Sequence, residues 1–240
     1  MNTAGMIKIG CCGFREKRED YFHHFEVVEI QKTFYMLPRA LTAEKWKREA
    51  PPSFEYTVKA WQLITHEPKS PTYRKAKLPI ERGSERYGFF RPTDEVFDAW
   101  ERCRAIARIL DARIVVFQCP PSFHETREHM ENMRQFFSSI ERDFRYAWEP
   151  RGKWSDTTIE RMCGELDLIH CVDPFKNTSV HGTPRYYRLH GIGGYGYEYT
   201  GDDLHWLAEL CKKDEEVYCL FNNISMVKNA LEFKKMISSG

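Results

Sequence analysis

The run ARIVVFQC (112–119), the helical pattern over 125–141 and the run FRYAWEP (144–150) decide the fold. Each apolar run has strand length, and the stretch between them is long enough for a helix, so the unit reads strand, helix, strand. A helical crossover of this kind joins parallel strands. Six further runs extend the pattern: IKIGCCGF (7–14), FEVVEIQ (25–31), FEYTVKA (54–60), DLIHCVD (167–173), RYYRLHG (185–191) and EVYCLFNN (216–223). Eight strands alternating with helices predict an α/β fold, a single-domain TIM (β/α) barrel with some irregular or shortened helices.

Helices are expected at Thr42–Ala50, ending at Pro51, and at Asp94–Leu110, where Val96, Trp100, Cys103, Ala107 and Leu110 share one face. That stripe is packing surface. Others are expected at Glu125–Glu141, Asp156–Cys163, Asp202–Lys212 and Ser225–Met236. The 240 residues suit one barrel, with 1–6 a short N-terminal extension and 7–238 the barrel domain. Thirty-six Lys and Arg against 35 Asp and Glu leave no global field that would commit the chain to nucleic acid or membrane. The N-terminus MNTAGMIKIG lacks a basic leader with an apolar core, and no apolar run is long enough to span a bilayer. A cytoplasmic protein with no membrane partner is expected. Eight cysteines without a C-x-x-C pair read as reduced, mostly buried thiols, with a metal or disulfide role for Cys11, Cys119 and Cys171 as the minor option.

In a barrel, polar residues that close the strands gather at one mouth. Here they are Glu29 and Gln31, Lys59, Gln118, Glu149 and Arg151, Asp173, Arg188 and His190, and Asn222 and Asn223, with His66 also near the mouth. Period-two alternation puts Arg188 with His190, and Glu149 with Arg151, on common faces. A guanidinium clamps phosphate or carboxylate, whereas an imidazole moves protons near neutral pH. An internal ion-pair network is the alternative use of the same residues.

After His190 comes Gly191-Ile192-Gly193-Gly194-Tyr195-Gly196. It spells G-x-G-x-x-G but follows a late strand and opens no helix, so no nucleotide cofactor is expected. Backbone amides at Gly191 and Gly193 would still suit an anion, and Tyr195, Tyr197 and Tyr199 would stack on a base or sugar or pack on the rim. The stretch from Trp61 to Pro92 is the largest loop excursion. It carries Lys69, Arg74, Lys75, Lys77, Arg82, Arg86 and Arg91 among Tyr73, Tyr87, Phe89 and Phe90. Either it binds single-stranded nucleic acid, or its aromatics anchor a solvated loop. No H-E-x-x-H spacing occurs; magnesium held by Glu29, Glu149 and Asp173 is the metal option.

The segments IGCCGF, FEVVEIQKTFYMLP (25–38), FEYTVKAWQLITH (54–66), VFQCPPSF (116–123), AWEPRGKW (147–154), YYRLHG (186–191) and FNNISMVKNA (221–230) together resemble the YecE-like family, which carries domain of unknown function 72. The resemblance runs from about Ile7 to Ala230. It implies a TIM barrel and adds Thr33, Tyr35 and Pro120 to the mouth, but it brings no established reaction. The chain departs from the family's usual loops at Cys11-Cys12-Gly13-Phe14 and at Gln31-Lys32.

Three functions are consistent with these residues. The first is an enzyme that binds a phosphorylated ligand or nucleic acid and hydrolyses a phosphodiester, with Arg188, Arg151 and Lys59 on the anion, His190 or Glu149 moving protons and Asn222 orienting the substrate. The second is a non-catalytic nucleic-acid-binding module. The third is a sugar- or carboxylate-processing barrel using Glu29 and Glu149 as a carboxylate pair.

Overall fold

The computed structural model describes residues 5–76 and 79–239; Lys77 of the basic excursion lies outside them. Eight parallel strands close a barrel in sequence order: β1 (Met6–Cys11), β2 (Val27–Ile30), β3 (Glu55–Lys59), β4 (Ala112–Gln118), β5 (Arg145–Glu149), β6 (Leu168–Val172), β7 (Arg185–Leu189) and β8 (Glu216–Phe221). β8 pairs back onto β1 from Met6 opposite Glu216 to Cys11 opposite Phe221, which closes the ring. Every strand expected from an apolar run is present.

The helices are α1 (Arg18–His24), α2 (Lys32–Tyr35), α3 (Ala40–Glu49), α4 (Gln62–Thr65), α5 (Pro71–Ala76), α6 (Asp94–Ile109), α7 (Arg127–Ser139), α8 (Asp156–Leu166), α9 (Gly201–Cys211) and α10 (Met226–Ser239). Side-chain caps start the long ones: Thr93, Thr126 and Ser155 accept from Val96, His129 and Thr158, and Thr200 forms a reciprocal box with Asp203. On α6 the expected stripe Val96, Trp100, Cys103 and Ala107 is buried. No helix among the described residues is long and apolar enough to cross a membrane.

Alternation along the strands sorts the interior into layers. Val27, Ile114, Val116, Ala147, Ile169, Cys171 and Tyr186 point inward and fill the barrel. One inward step further along, the side chains turn polar: Glu29 after Val27, Lys59 after Thr57, Gln118 after Val116, Glu149 after Ala147 and Arg188 after Tyr186, all buried. The middle of the barrel is mostly apolar and the mouth is charged, while Lys8, Glu55 and Glu216 form a separate charged cluster at the amino-terminal end.

The connection from β6 to β7 contains no helix. Its chain doubles back along β6, with the His170 amide donating to the His181 carbonyl (3.0 Å), the Ser179 hydroxyl to the His170 carbonyl (3.0 Å) and the Val180 amide to His170 Nδ1 (3.2 Å). Gly182 permits this close approach: its φ is +93°, and a Cβ there would sit 2.8 Å from the Ile169 Cα. A loop in place of a helix leaves room at the carboxyl ends of β5, β6 and β7.

Candidate active site

Arg188 is the centre of the buried charge. Its Nε and Nη2 donate to the two oxygens of Glu29 at 3.0 and 2.9 Å, and Nη1 donates to Glu149. Tyr186, two residues earlier on the same face, donates to Glu29 at 2.9 Å and lies 2.7 Å from the Thr57 hydroxyl, and Gln31 also donates to Glu29. One guanidinium therefore serves two carboxylates, and Arg151 supplies the second positive charge from Nε and Nη2 to Glu149 Oε1 at 3.0 and 2.9 Å. Burial alone would push the Glu149 carboxyl up, but Arg188 and Arg151 beside it outweigh burial and hold it well below the usual carboxylate range. Glu149 is thus a fixed anion, unsuited to giving up a proton at neutral pH, and Arg188 is already committed to two carboxylates.

Lys59 sits across the mouth, donating to Gln118 Oε1 at 2.8 Å with its ammonium 3.8 Å from the centre of the Phe34 ring. Burial and the charge of Arg188 push its amine down to about 7. His66, against Phe34 and bonded through Nδ1 to the Thr65 hydroxyl at 2.8 Å, is pushed by burial and Lys59 to about 3 and stays neutral. Asn222 closes β8, its backbone N–H donating to the Leu189 carbonyl at 2.8 Å.

His190 and Asp173 belong to a cavity of about 440 Å³ between the ends of β5, β6 and β7. Arg151 Nη2 donates to His190 Nε2 at 2.8 Å, so Nε2 is the acceptor nitrogen and the proton lies on Nδ1, which faces Asp173 Oδ2 at 3.7 Å. The His190 amide donates to the same Asp173 oxygen at 3.2 Å. Burial raises the Asp173 carboxyl, yet the hydrogen bonds from His190 prevail and keep it below its ordinary value. The wall thus holds an ionised carboxylate, an imidazole oriented by it, and a half-exposed guanidinium on the imidazole's free edge.

A family model described as a protein of unknown function, DUF72, matches residues 11–239. The chain belongs to the DUF72 family. It is 28% identical to UPF0759 protein YunF of Bacillus subtilis, over 93% of this chain and 86% of that protein. Among solved structures it resembles DUF72 proteins from Enterococcus faecalis (TM-score 0.73, 18% identity, 98% of both chains) and from Thermotoga maritima (TM-score 0.68, 21% identity, 97% of this chain and 99% of that one). These structural likenesses show a shared fold.

Several expectations for this DUF72 barrel change in detail. The Gly191 amide is committed to the Tyr199 hydroxyl at 2.8 Å and the Gly194 amide to the Gly191 carbonyl at 3.1 Å, so the glycine loop spends those two donors on its own turns. Gly193 lies within that loop. Gly191 itself is required by φ +86° and by the Gly194 carbonyl, 2.1 Å from where a Cβ would stand. Tyr199 is buried and Tyr197 donates to Asp203, whereas Tyr195 lines the cavity. In the excursion, Tyr73, Phe89 and Phe90 are buried, and Lys69, Arg86 and Arg91 pair with Glu67, Glu95 and Glu67. These three rings anchor the loop, and of its four aromatics Tyr87 alone is partly exposed.

Glu29 and Glu149 are bridged by Arg188 and do not face one another as a catalytic pair. Among the described residues no group of three His, Cys, Asp or Glu could hold a metal ion, so Glu29, Glu149 and Asp173 do not converge as ligands. All eight cysteines are free and buried, Cys11, Cys119 and Cys171 included. The cavity also brings in Trp154, Asp156, His170, Lys176 and Asn177, which the sequence did not single out. His170 faces outward on β6, where a following helix would ordinarily cover it.

Proposed function

We propose that this protein is an enzyme that binds a small phosphorylated ligand in the cavity between β5, β6 and β7 and hydrolyses a phosphodiester. The observation that carries the proposal is the line Asp173, His190, Arg151, with His190 Nε2 accepting from Arg151 at 2.8 Å on the cavity wall. A ligand phosphate draws Arg151 toward itself and bares Nε2; as water attacks phosphorus Nε2 takes its proton, the P–O bond to the departing alcohol breaks, and the imidazolium, stabilised by Asp173, passes that proton to the leaving oxygen. Lys176, paired with Asp173 at 3.4 Å, adds positive charge at the same wall. Arg188, Glu29 and Glu149 act beneath this line by fixing Arg151.

A small ligand is favoured over nucleic acid because three of the excursion's four aromatics are buried and several of its cations are paired. Eight buried free thiols suit a reducing cytoplasm. The test is a screen of phosphodiesters and phosphomonoesters, with and without divalent metals. His190→Ala is expected to lower any hydrolysis found by about 10²- to 10⁴-fold; an unchanged rate refutes the role.

A further inference from the structure

We propose that the end of the cavity around His170 holds the sugar of a phosphorylated sugar, with the His170 Nε2–H donating to one of its oxygens. This rests on the reading of Arg151 as the phosphate contact and adds what lies beyond the phosphate. His170 is 3% exposed and lines the cavity. Its Nδ1 accepts from the Val180 amide at 3.2 Å, which leaves the proton on Nε2, and Nε2 has no protein acceptor among the described residues. The residue lines the cavity, so this donor is open to it and a ligand oxygen would take the place of solvent there. Burial also pushes the imidazole down to about 4, so it stays neutral and acts as a donor without titrating.

The two histidines therefore divide the cavity: His190 Nε2 serves the attacking water, and His170 Nε2–H donates to the ligand. A ligand beside His170 needs an acceptor for that donor and a donor for the Asp156 carboxylate on the same wall, and hydroxyls supply both. The Asp156 carboxylate and the Asn177 amide line the same space, and the rings of Trp154 and Tyr195 offer the apolar surface on which a sugar's C–H faces pack. A volume of about 440 Å³ suits a ligand of that size.

The experiment uses the full chain with nitrogen-15-labelled histidine and three probes: inorganic phosphate, ribose and ribose 5-phosphate. Ribose 5-phosphate is expected to bind roughly tenfold more tightly than phosphate and to shift the His170 Nε2–H resonance, which phosphate alone leaves in place. His170→Phe should erase that preference, and His170→Gln, which keeps a donor near Nε2, should recover part of it. A preference unchanged in His170→Phe, or a His170 resonance that ribose 5-phosphate does not move in the wild type, overturns the proposal. The second readout needs no variant and stands even if loss of the Val180 contact unfolds the loop. Failure of the underlying reading looks different: Arg151→Ala would then leave phosphate binding intact.

Discussion

Arg188 meets Glu29 edge to edge, two parallel N–H···O contacts of 3.0 and 2.9 Å in a place where both side chains are almost fully removed from water. A bidentate pair of this kind is strong, but its larger consequence is what breaking it leaves behind. Arg188→Ala would strand Glu29 and Glu149 without their shared partner, and destabilisation of about 3–5 kcal/mol is expected in urea unfolding. Glu29→Gln should cost less, because Arg188 keeps Glu149. Equal stability of Arg188→Ala and wild type would show that the triad is not the keystone of the mouth.

Lys59 gives a pH signature. Its folded-state value of about 7 lies below the ordinary 10.5, so the unfolded chain binds this proton more tightly. Between those two values the unfolded state holds more protons, and stability rises with pH; below about 7 the penalty of burying the charge is present in full. Chemical unfolding across pH 6 to 10 should therefore show a rise that Lys59→Met removes. A profile that Lys59→Met leaves unchanged contradicts this origin.

Gly182 tests the loop that stands in place of a helix after β6. Gly182→Ala forces a Cβ toward the Ile169 Cα from a left-handed backbone, and a loss of more than about 1 kcal/mol is expected by thermal or urea unfolding. Hydrogen exchange at the Val180 amide should accelerate with it, because that amide's acceptor is on β6. Unaltered exchange would mean the loop is held elsewhere.

The excursion between β3 and α6 supplies a negative prediction. Arg74→Glu with Arg82→Glu reverses two of its charges, and binding of phosphate to the cavity should not change. Single-stranded oligonucleotides should bind weakly to the wild type and without the steep salt dependence of a phosphate-tracking groove. Tight, salt-sensitive binding lost in the double variant would restore the nucleic-acid reading.

The fold was legible because β/α barrels write their strands as apolar runs, and all eight fell where those runs lie. The short helices α1, α2, α4 and α5 escaped because four to seven residues complete too few turns to establish a period. Period-two spacing correctly placed Glu149 beside Arg151. It could not show that Arg188 is committed to two carboxylates, since its partner Glu29 lies 159 residues away and one chain does not reveal which inward positions share a layer. His170 was hidden for a related reason: an outward position on a barrel strand is normally helix-covered core, and only the absent helix after β6 turns it toward a cavity.

The proposed proton acceptor of the hydrolytic site is His190, oriented by Asp173 and guarded by Arg151. Turnover of bis(para-nitrophenyl) phosphate by the wild type and by His190→Ala, measured at equal fold stability and with and without divalent metals, tests it most directly. Measurable wild-type turnover is expected, falling by about 10²-fold or more in the variant. No turnover by the wild type, or equal turnover by both proteins, would contradict it.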